Sequence, residues 1–251
     1  MVRFTFVAAI RVYLSHRPEE ITKSFDSGRE ILEGQKFLAK LGQLDPSGVS
    51  KGGCVLPGGK RKDQETGKQT IERIVENELK PFIPGVHLRA AEGRSNEMFI
   101  KDSPTYGVRT CYSRACFVGF TNDDLEHVSA PSAGRDFQPK LPRESPWWMH
   151  KLLGRKRVTA EDVETQRRAT EILQGIDRVV GARDETGVDV YAWVTHMEFE
   201  LLSDERVKPV LDQWAQAVLQ RNEAWRSSGQ VDVAQEDGSR SRSCEHRRVV
   251  L

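Results

Sequence analysis

Apolar residues gather from Phe4 to Leu14, and the phenylalanine, threonine and valine in this run suit a strand leading into the fold. The segment Met1 to Arg11 holds arginine and no acid, so an organelle-targeting helix is the competing reading. Ser15-His16-Arg17-Pro18 closes the strand in a turn, because proline biases Arg17 away from helix. Thr22 or Ser24 then caps a predicted helix whose mostly apolar stripe is Ile31, Leu32, Phe37, Leu38 and Leu41, broken at Gly34. Gly42 to Gly53 reads as a small-residue connector. Cys54-Val55-Leu56 follows as a short strand running into Pro57-Gly58-Gly59, where glycine permits dihedrals denied to residues with side chains.

Helical spacing returns from Gln69 to Leu79, with Ile71, Val75 and Leu79 on one side, and Pro81 and Pro84 stop it. Three strand-like pieces come next: Gly85 to Ala90, Glu97 to Ile100, and Val108 to Phe120. From Thr121 to Arg157 the pattern is weak, and Pro131, Pro139, Pro142 and Pro146 punctuate it, which marks a functional insertion or a surface arm. Thr159 with Asp162 predicts a capped helix through Val163, Ile172, Leu173, Ile176 and Val179. A strand over Val188 to Val194 leads to Thr195, and Ser203 begins a helix with Val207, Val210, Leu211, Trp214 and Val218 on one face. Beyond Trp225 the chain is polar and reads as an extended tail.

These elements predict an α+β fold with a mixed sheet. The chain divides into a first strand and helical arm (1–53), a core (54–120), a Pro-rich basic insertion (121–157), the remainder of the core (158–225) and a polar, basic tail (226–251). No apolar run approaches the ~18 residues of a membrane helix. The net charge of +1 conceals local imbalance, since Arg135 to Arg157 holds seven lysines and arginines against Asp136 and Glu144. Such a strip suits a phosphate backbone even when the total charge is near neutral.

The candidate chemistry lies around Gly58-Gly59-Lys60-Arg61-Lys62-Asp63-Gln64-Glu65 and Arg73. This run resembles the box of the Nudix family, which reads Gly, five residues, Glu, seven residues, Arg-Glu, an aliphatic residue, any residue, Glu-Glu, any residue, Gly. Gly59, Glu65, Arg73, Val75 and Glu78 match, preceded by Leu56-Pro57-Gly58. Ile74 stands in place of the glutamate after arginine, Asn77 in place of the first paired acid, and Lys80 in place of the last glycine. The resemblance implies a Nudix-like α/β/α sandwich. The departures weaken the implied metal chemistry, because Mg²⁺ on a pyrophosphate needs clustered hard oxygen ligands. Glu76 is offset about 100° from Asn77 on an α-helix and is no simple substitute. Glu65 and Glu78, helped by Glu72, are left as a weak Mg²⁺ site at most, and no cofactor is expected. Arg73 paired with Glu65 instead fastens loop to helix. Gly58, Gly59, Glu65, Arg73 and Glu78 therefore read as a structural remnant with no catalytic residue.

A second resemblance concerns Ala8-Ala9-Ile10, Leu14-Ser15-His16-Arg17-Pro18 and Ile21-Thr22. They look like the opening of a mitochondrial large-subunit ribosomal protein family whose body is a Nudix-like domain without the catalytic acids. Glu65-Thr66 with Thr70-Ile71-Glu72-Arg73 is similar to its altered box, and Ala192-Trp193-Val194-Thr195 to its last strand; together these pieces amount to 20 of the 251 residues. The resemblance implies a structural constituent of a ribonucleoprotein, located in the mitochondrial matrix. Its partners would be ribosomal proteins and rRNA, with no membrane and no required homo-oligomer. The competing classes are a Nudix hydrolase acting on a nucleoside diphosphate linkage through an atypical metal site, and a mitochondrial RNA-binding regulatory protein.

Candidate RNA or partner contacts follow from basic and aromatic clusters. Lys60, Arg61 and Lys62 line the loop of the box, and Trp147-Trp148 sits amid Arg143, Lys151, Arg155, Lys156 and Arg157. Indoles stack on unpaired bases or plug a partner, while the cations hold phosphates. Within the tail, the stretch Arg240 to Arg248 holds four arginines, Arg240, Arg242, Arg247 and Arg248, against Glu245. Each cluster has an ordinary alternative, as a solubilising loop, a wrap over the protein's own surface, or a polar end. Cys54, Cys111, Cys116 and Cys244 show no CxxC spacing and read as unpaired thiols. His16, His87, His127, His150, His196 and His246 form no HxH or HExxH pair.

Overall fold

The first strand, β1 (Arg3–Leu14), is the axis around which a computed structural model of the protein is organised. The structure describes residues 3–14, 34–45, 47, 49–80, 83, 85–88, 96–102, 107–122, 125, 129–142, 158–184 and 187–222. Among them the fold is mixed α+β, with a mostly open mixed sheet and four α-helices. In chain order the elements are β1, β2 (Lys36–Leu44), β3 (Ser50–Val55), β4 (Gly58–Lys60) and α1 (Gly67–Ile74), which continues as a π-helical turn, Val75–Leu79. Next come β5 (His87–Leu88), β6 (Asn96–Asp102), β7 (Arg109–Thr121), β8 (Ser129–Pro131) and α2 (Ala160–Gly175). Then follow β9 (Arg178–Asp184), β10 (Gly187–Thr195), α3 (His196–Leu202), a 3-10 turn (Glu205–Val207) and α4 (Lys208–Arg221).

The chain forms two compact units. The first comprises Met1–Lys40, Cys54–His127 and Ala192–Ser203. Here β1 runs parallel to β7 along its whole length, from Arg3 opposite Thr110 to Leu14 opposite Thr121. On its other side β1 pairs antiparallel with β4 and, at Tyr13 opposite Phe37, with β2. Antiparallel strands β5 and β6 complete the far side of β7. A strand with neighbours on both edges hides its backbone and favours apolar side chains, and Ala8, Ala9, Ile10, Val12 and Tyr13 are all buried. Gly58 is needed for close approach, because a Cβ there would lie 2.6 Å from the carbonyl oxygen of Ala8.

The second unit comprises Leu41–Gly53, Val128–Tyr191 and Asp204–Leu251. Its sheet portion includes the antiparallel pairs β8/β9 and β9/β10. Thr159 and Asp162 cap α2 reciprocally, the Thr159 amide donating to Asp162 Oδ2 at 2.8 Å and the Asp162 amide to Thr159 Oγ1 at 3.2 Å. On α4, Val210, Leu211, Trp214, Ala215, Val218 and Leu219 form the buried stripe. The Gly52 amide donates to Asp212 Oδ1 at 2.7 Å, and a side chain at position 52 would collide with the backbone of Leu211 and Asp212. Arg206 clamps the start of this region, donating to Asp204 and through Nη1 to Glu161 Oε1 at 2.6 Å.

Several expectations are corrected. Phe37, Leu38 and Leu41 lie on β2 and not on a helix, while Ile31 and Leu32 fall outside the described residues. Phe37-Leu38-Ala39 is buried on both faces of its strand, and two-faced burial erases the alternation that would have marked it. The connector from Gly42 to Gly53 holds the end of β2 and the start of β3. Val179 belongs to β9, a strand not anticipated, and Ile176 is the C-cap of α2. Ser203 ends α3, also not anticipated, instead of starting a helix. In the Pro-rich stretch, β8 and the buried Ala133 and Phe137 belong to the packed second unit, where the Phe137 carbonyl accepts from Gln174 Nε2 at 2.8 Å. The turn at Ser15 to Pro18 and the tail after Trp225 lie outside the described residues.

Candidate functional site

Thr66 caps α1 and so positions the residues of the box. Its hydroxyl accepts from the Gln69 amide at 3.2 Å and its own amide donates to Gln69 Oε1 at 2.8 Å, closing a capping box. The preceding loop turns through Gln64, whose φ of 69° is left-handed, and the Glu65 amide donates to the Lys62 carbonyl at 3.1 Å. Glu65 is thereby swung against the first two turns of the helix.

Both of its carboxylate oxygens are taken. Arg73 grips them as a fork, Nε to Oε1 at 2.7 Å and Nη2 to Oε2 at 2.9 Å. Oε2 also accepts from the buried Thr70 hydroxyl and from the Lys62 amide, each at 3.0 Å. Arg73 Nη2 reaches further, to the Lys60 carbonyl at 3.2 Å. The Arg73 fork, then the Lys62 amide and Thr70, hold the Glu65 carboxyl down at about 2, against an ordinary value of 4.5. In return Glu65, with help from Glu78, raises the affinity of Arg73 for its proton.

The pH dependence follows from that direction. A carboxyl depressed in the folded state stabilises the fold fully above its unfolded value of 4.5, and the contribution is lost as pH falls towards about 2. Arg73→Ala removes the largest cause of the depression. The acid limb of unfolding, followed by circular dichroism, is expected to move to higher pH in Arg73→Ala and by less in Arg73→Lys, which keeps the charge but loses the fork. Superimposable acid limbs for all three proteins would count against the clasp.

Ile74, the residue in the first missing acid's place, is fully buried. A Cβ on Gly59 would lie 3.4 Å from Ile74 Cδ1, so the isoleucine packs directly over the glycine of the box. Asn77 and Glu76 are exposed on the π-helical turn, where the Lys80 amide donates to the Val75 carbonyl at 2.8 Å. The 100° offset expected of an α-helix does not hold there, since the π-turn winds more loosely. Glu76 pairs with Lys80 and Glu72 lies 3.8 Å from Lys68. Among the described residues no three of His, Cys, Asp and Glu stand together as a metal-binding group. Glu65, Glu72 and Glu76 are each engaged by a different cation, Arg73, Lys68 and Lys80. Ile74 and Asn77 supply no carboxylate at two positions where the Nudix box carries one.

Of the predicted contacts, Lys60, Arg61 and Lys62 are exposed, and the Arg61 guanidinium stands 4.5 Å from the centre of the Phe6 ring. Arg143, Trp147, Trp148, Lys151, Arg155, Lys156, Arg157, Arg240, Arg242, Arg247 and Arg248 lie outside the described residues. Cys54 and Cys116 are buried, and burial pushes the Cys54 thiol up to about 12, which makes it inert as a nucleophile. His87 is exposed on β5, and His196 lies 3.2 Å from Glu200 one helical turn away. Thr70 was not anticipated as part of the clasp. Its threonine hydroxyl four residues from Thr66 is the only signal, and such hydroxyls commonly bond back along their own helix, as this one does to the Thr66 carbonyl at 3.0 Å.

In comparisons with known proteins, the chain matches no protein-family model and no curated protein.

Proposed function

We propose that the chain is a non-enzymatic, structural component of the large subunit of the mitochondrial ribosome, in which a Nudix-like domain serves protein and rRNA contacts. The observation that carries this reading is the use made of the box residues. Glu65 commits both oxygens to Arg73, Thr70 and the Lys62 amide, and Ile74 fills the space over Gly59. A frame of this kind stabilises a loop and needs no substrate. The strand-forming opening with Ala8-Ala9-Ile10, and Ala192-Trp193-Val194 on β10, supply the resemblance to the ribosomal family.

Purified protein with Mg²⁺ or Mn²⁺ is expected to leave capped RNA, NADH, CoA and dinucleoside polyphosphates intact. Turnover abolished by Glu78→Gln would reverse the reading in favour of a hydrolase. In native extract the protein is expected to co-sediment with large ribosomal particles above ~0.3 M salt, where weak phosphate contacts are screened. Release into the soluble pool at low salt would exclude a stable subunit.

A further inference from the structure

Helix α1 covers only part of the sheet face on which it lies. Gly59, Ala8 and Ala115 form one row across β4, β1 and β7. Ile74 packs over Gly59, and a Cβ on Gly67 would meet Phe117 at 3.3 Å and Ala115 at 3.9 Å, so the helix sits over this row. Residues in register point to the same side of a sheet, and alternate residues along each strand share a face. The next row on this face is therefore Phe6, Ser113 and Met98, and the one after it Phe4, Cys111 and Ile100. These two rows are open to solvent: Phe4 is 69% exposed, Phe6 48%, Met98 76% and Ile100 61%.

Arg61 continues the Phe6 row on the other side of β1. Its amide donates to the Phe6 carbonyl at 3.0 Å and its guanidinium lies over the Phe6 ring. Arg61 is exposed, so the pair remains open to a further planar group. The charge around the patch is unbalanced. Exposed Arg61, Lys62 and Arg109 border it, and none of them makes an ion pair among the described residues, while Lys60, in register with Val7, belongs to the opposite face. Among the described residues of these segments the exposed acids are Asp63 and Asp102, the latter in register with Arg109, while Glu65 is already neutralised by Arg73. Three cations against two anions, with the Arg61 guanidinium over an exposed ring, favour a polyanion carrying planar bases over an apolar protein surface.

We infer that the Phe4 and Phe6 end of this face, with Arg61, is a stacking platform for an unpaired stretch of RNA. One base lies on the open Phe4 ring, the next on the outer face of the Arg61–Phe6 pair, and phosphates are drawn to Lys62 and Arg109. Positions 4 and 6 are separated by about 6.6 Å along a strand. That is about twice the rise between stacked bases, so the platform suits a strand whose bases are splayed apart and rejects a duplex. The inference deepens the proposed role and rests on it for the source of the RNA.

The test uses the full chain and a short fluorescein-labelled single-stranded RNA of mixed sequence, read by anisotropy. Phe4→Ala and Phe6→Ala are each expected to weaken binding roughly 5- to 150-fold, with the melting temperature unchanged in Phe4→Ala, whose ring is mostly exposed, and lowered only slightly in Phe6→Ala, whose ring is half-exposed. Tyrosine at either position retains binding, whereas leucine, apolar but unable to stack, loses it. Lys62→Gln reduces the dependence of log affinity on log salt by about 0.7. Equal affinity for wild type and the double alanine variant, equal affinity for duplex RNA, or full binding by the leucine variants would overturn the inference. So would a Phe-dependent association with protein alone. If the wild type binds RNA through these rings yet is absent from ribosomal particles, the inference stands and the ribosomal role falls. If it sediments with the particles while the alanine variants bind RNA normally, the ribosomal role stands and the platform falls.

Discussion

Ile74→Glu, which restores the acid that the intact box carries after its arginine, is expected to destabilise the protein by about 3 to 5 kcal/mol and to confer no hydrolase activity. Ile74 is fully buried over Gly59 at the end of α1, and the adjacent Arg73 is already held by Glu65 through two hydrogen bonds. A carboxylate there would be unpaired and dehydrated. Burial would raise its proton affinity, so the variant should lose stability as pH climbs above the ordinary carboxyl range and recover part of it in acid. Urea unfolding at two pH values measures this directly. Ile74→Leu serves as the control and should cost less than about 1.5 kcal/mol, since volume and polarity are conserved. A glutamate variant as stable as wild type, gaining Mg²⁺-dependent turnover, would mean that position 74 opens onto a site and that the box is dormant and not structural.

The second large effect is expected at Trp214 on α4. Its side chain is fully buried in the second unit, the largest in that condition among the described residues. Trp214→Ala is expected to cost about 3 to 5 kcal/mol, through lost transfer energy and the cavity left behind. Thermal unfolding of the full chain should show it as a fall of several degrees or more. The indole Nε1–H is buried without a hydrogen-bond partner among the described residues. Trp214→Phe removes that orphaned donor along with part of the ring, so its cost should fall well below that of alanine, within about 1.5 kcal/mol. Equal costs for phenylalanine and alanine would show that the indole nitrogen makes a bond that matters, or that the pocket collapses around either replacement.

The two residues differ in how plainly the chain announced them. Trp214 falls with Val207, Val210, Leu211 and Val218 at helical spacing, and a stripe of that kind has only one use in water. Ile74 stood off the centre of the stripe formed by Ile71, Val75 and Leu79, and its burial depends on a neighbour fifteen residues away, Gly59, whose missing side chain makes the space. Gly52 is similar. A glycine in a run of small residues reads as loop, yet the approach of α4 leaves no room for a Cβ.

The chain by itself determined what local physics controls: the strand at Phe4 to Leu14, the capping box at Thr159, the Glu65–Arg73 pair and the buried stripe of α4. Each depends on residues near one another in sequence, where periodicity and capping chemistry act directly. Tertiary structure decided the rest. It made Phe37-Leu38-Ala39 a strand despite the missing alternation, because both faces of that strand are covered. It also aligned Phe4 and Phe6 with Met98 and Ile100, residues more than ninety positions away, through the register of β7 between them. Pairing of distant strands leaves no periodic trace in either segment alone, which is why the exposed aromatic face emerges only once the sheet is assembled.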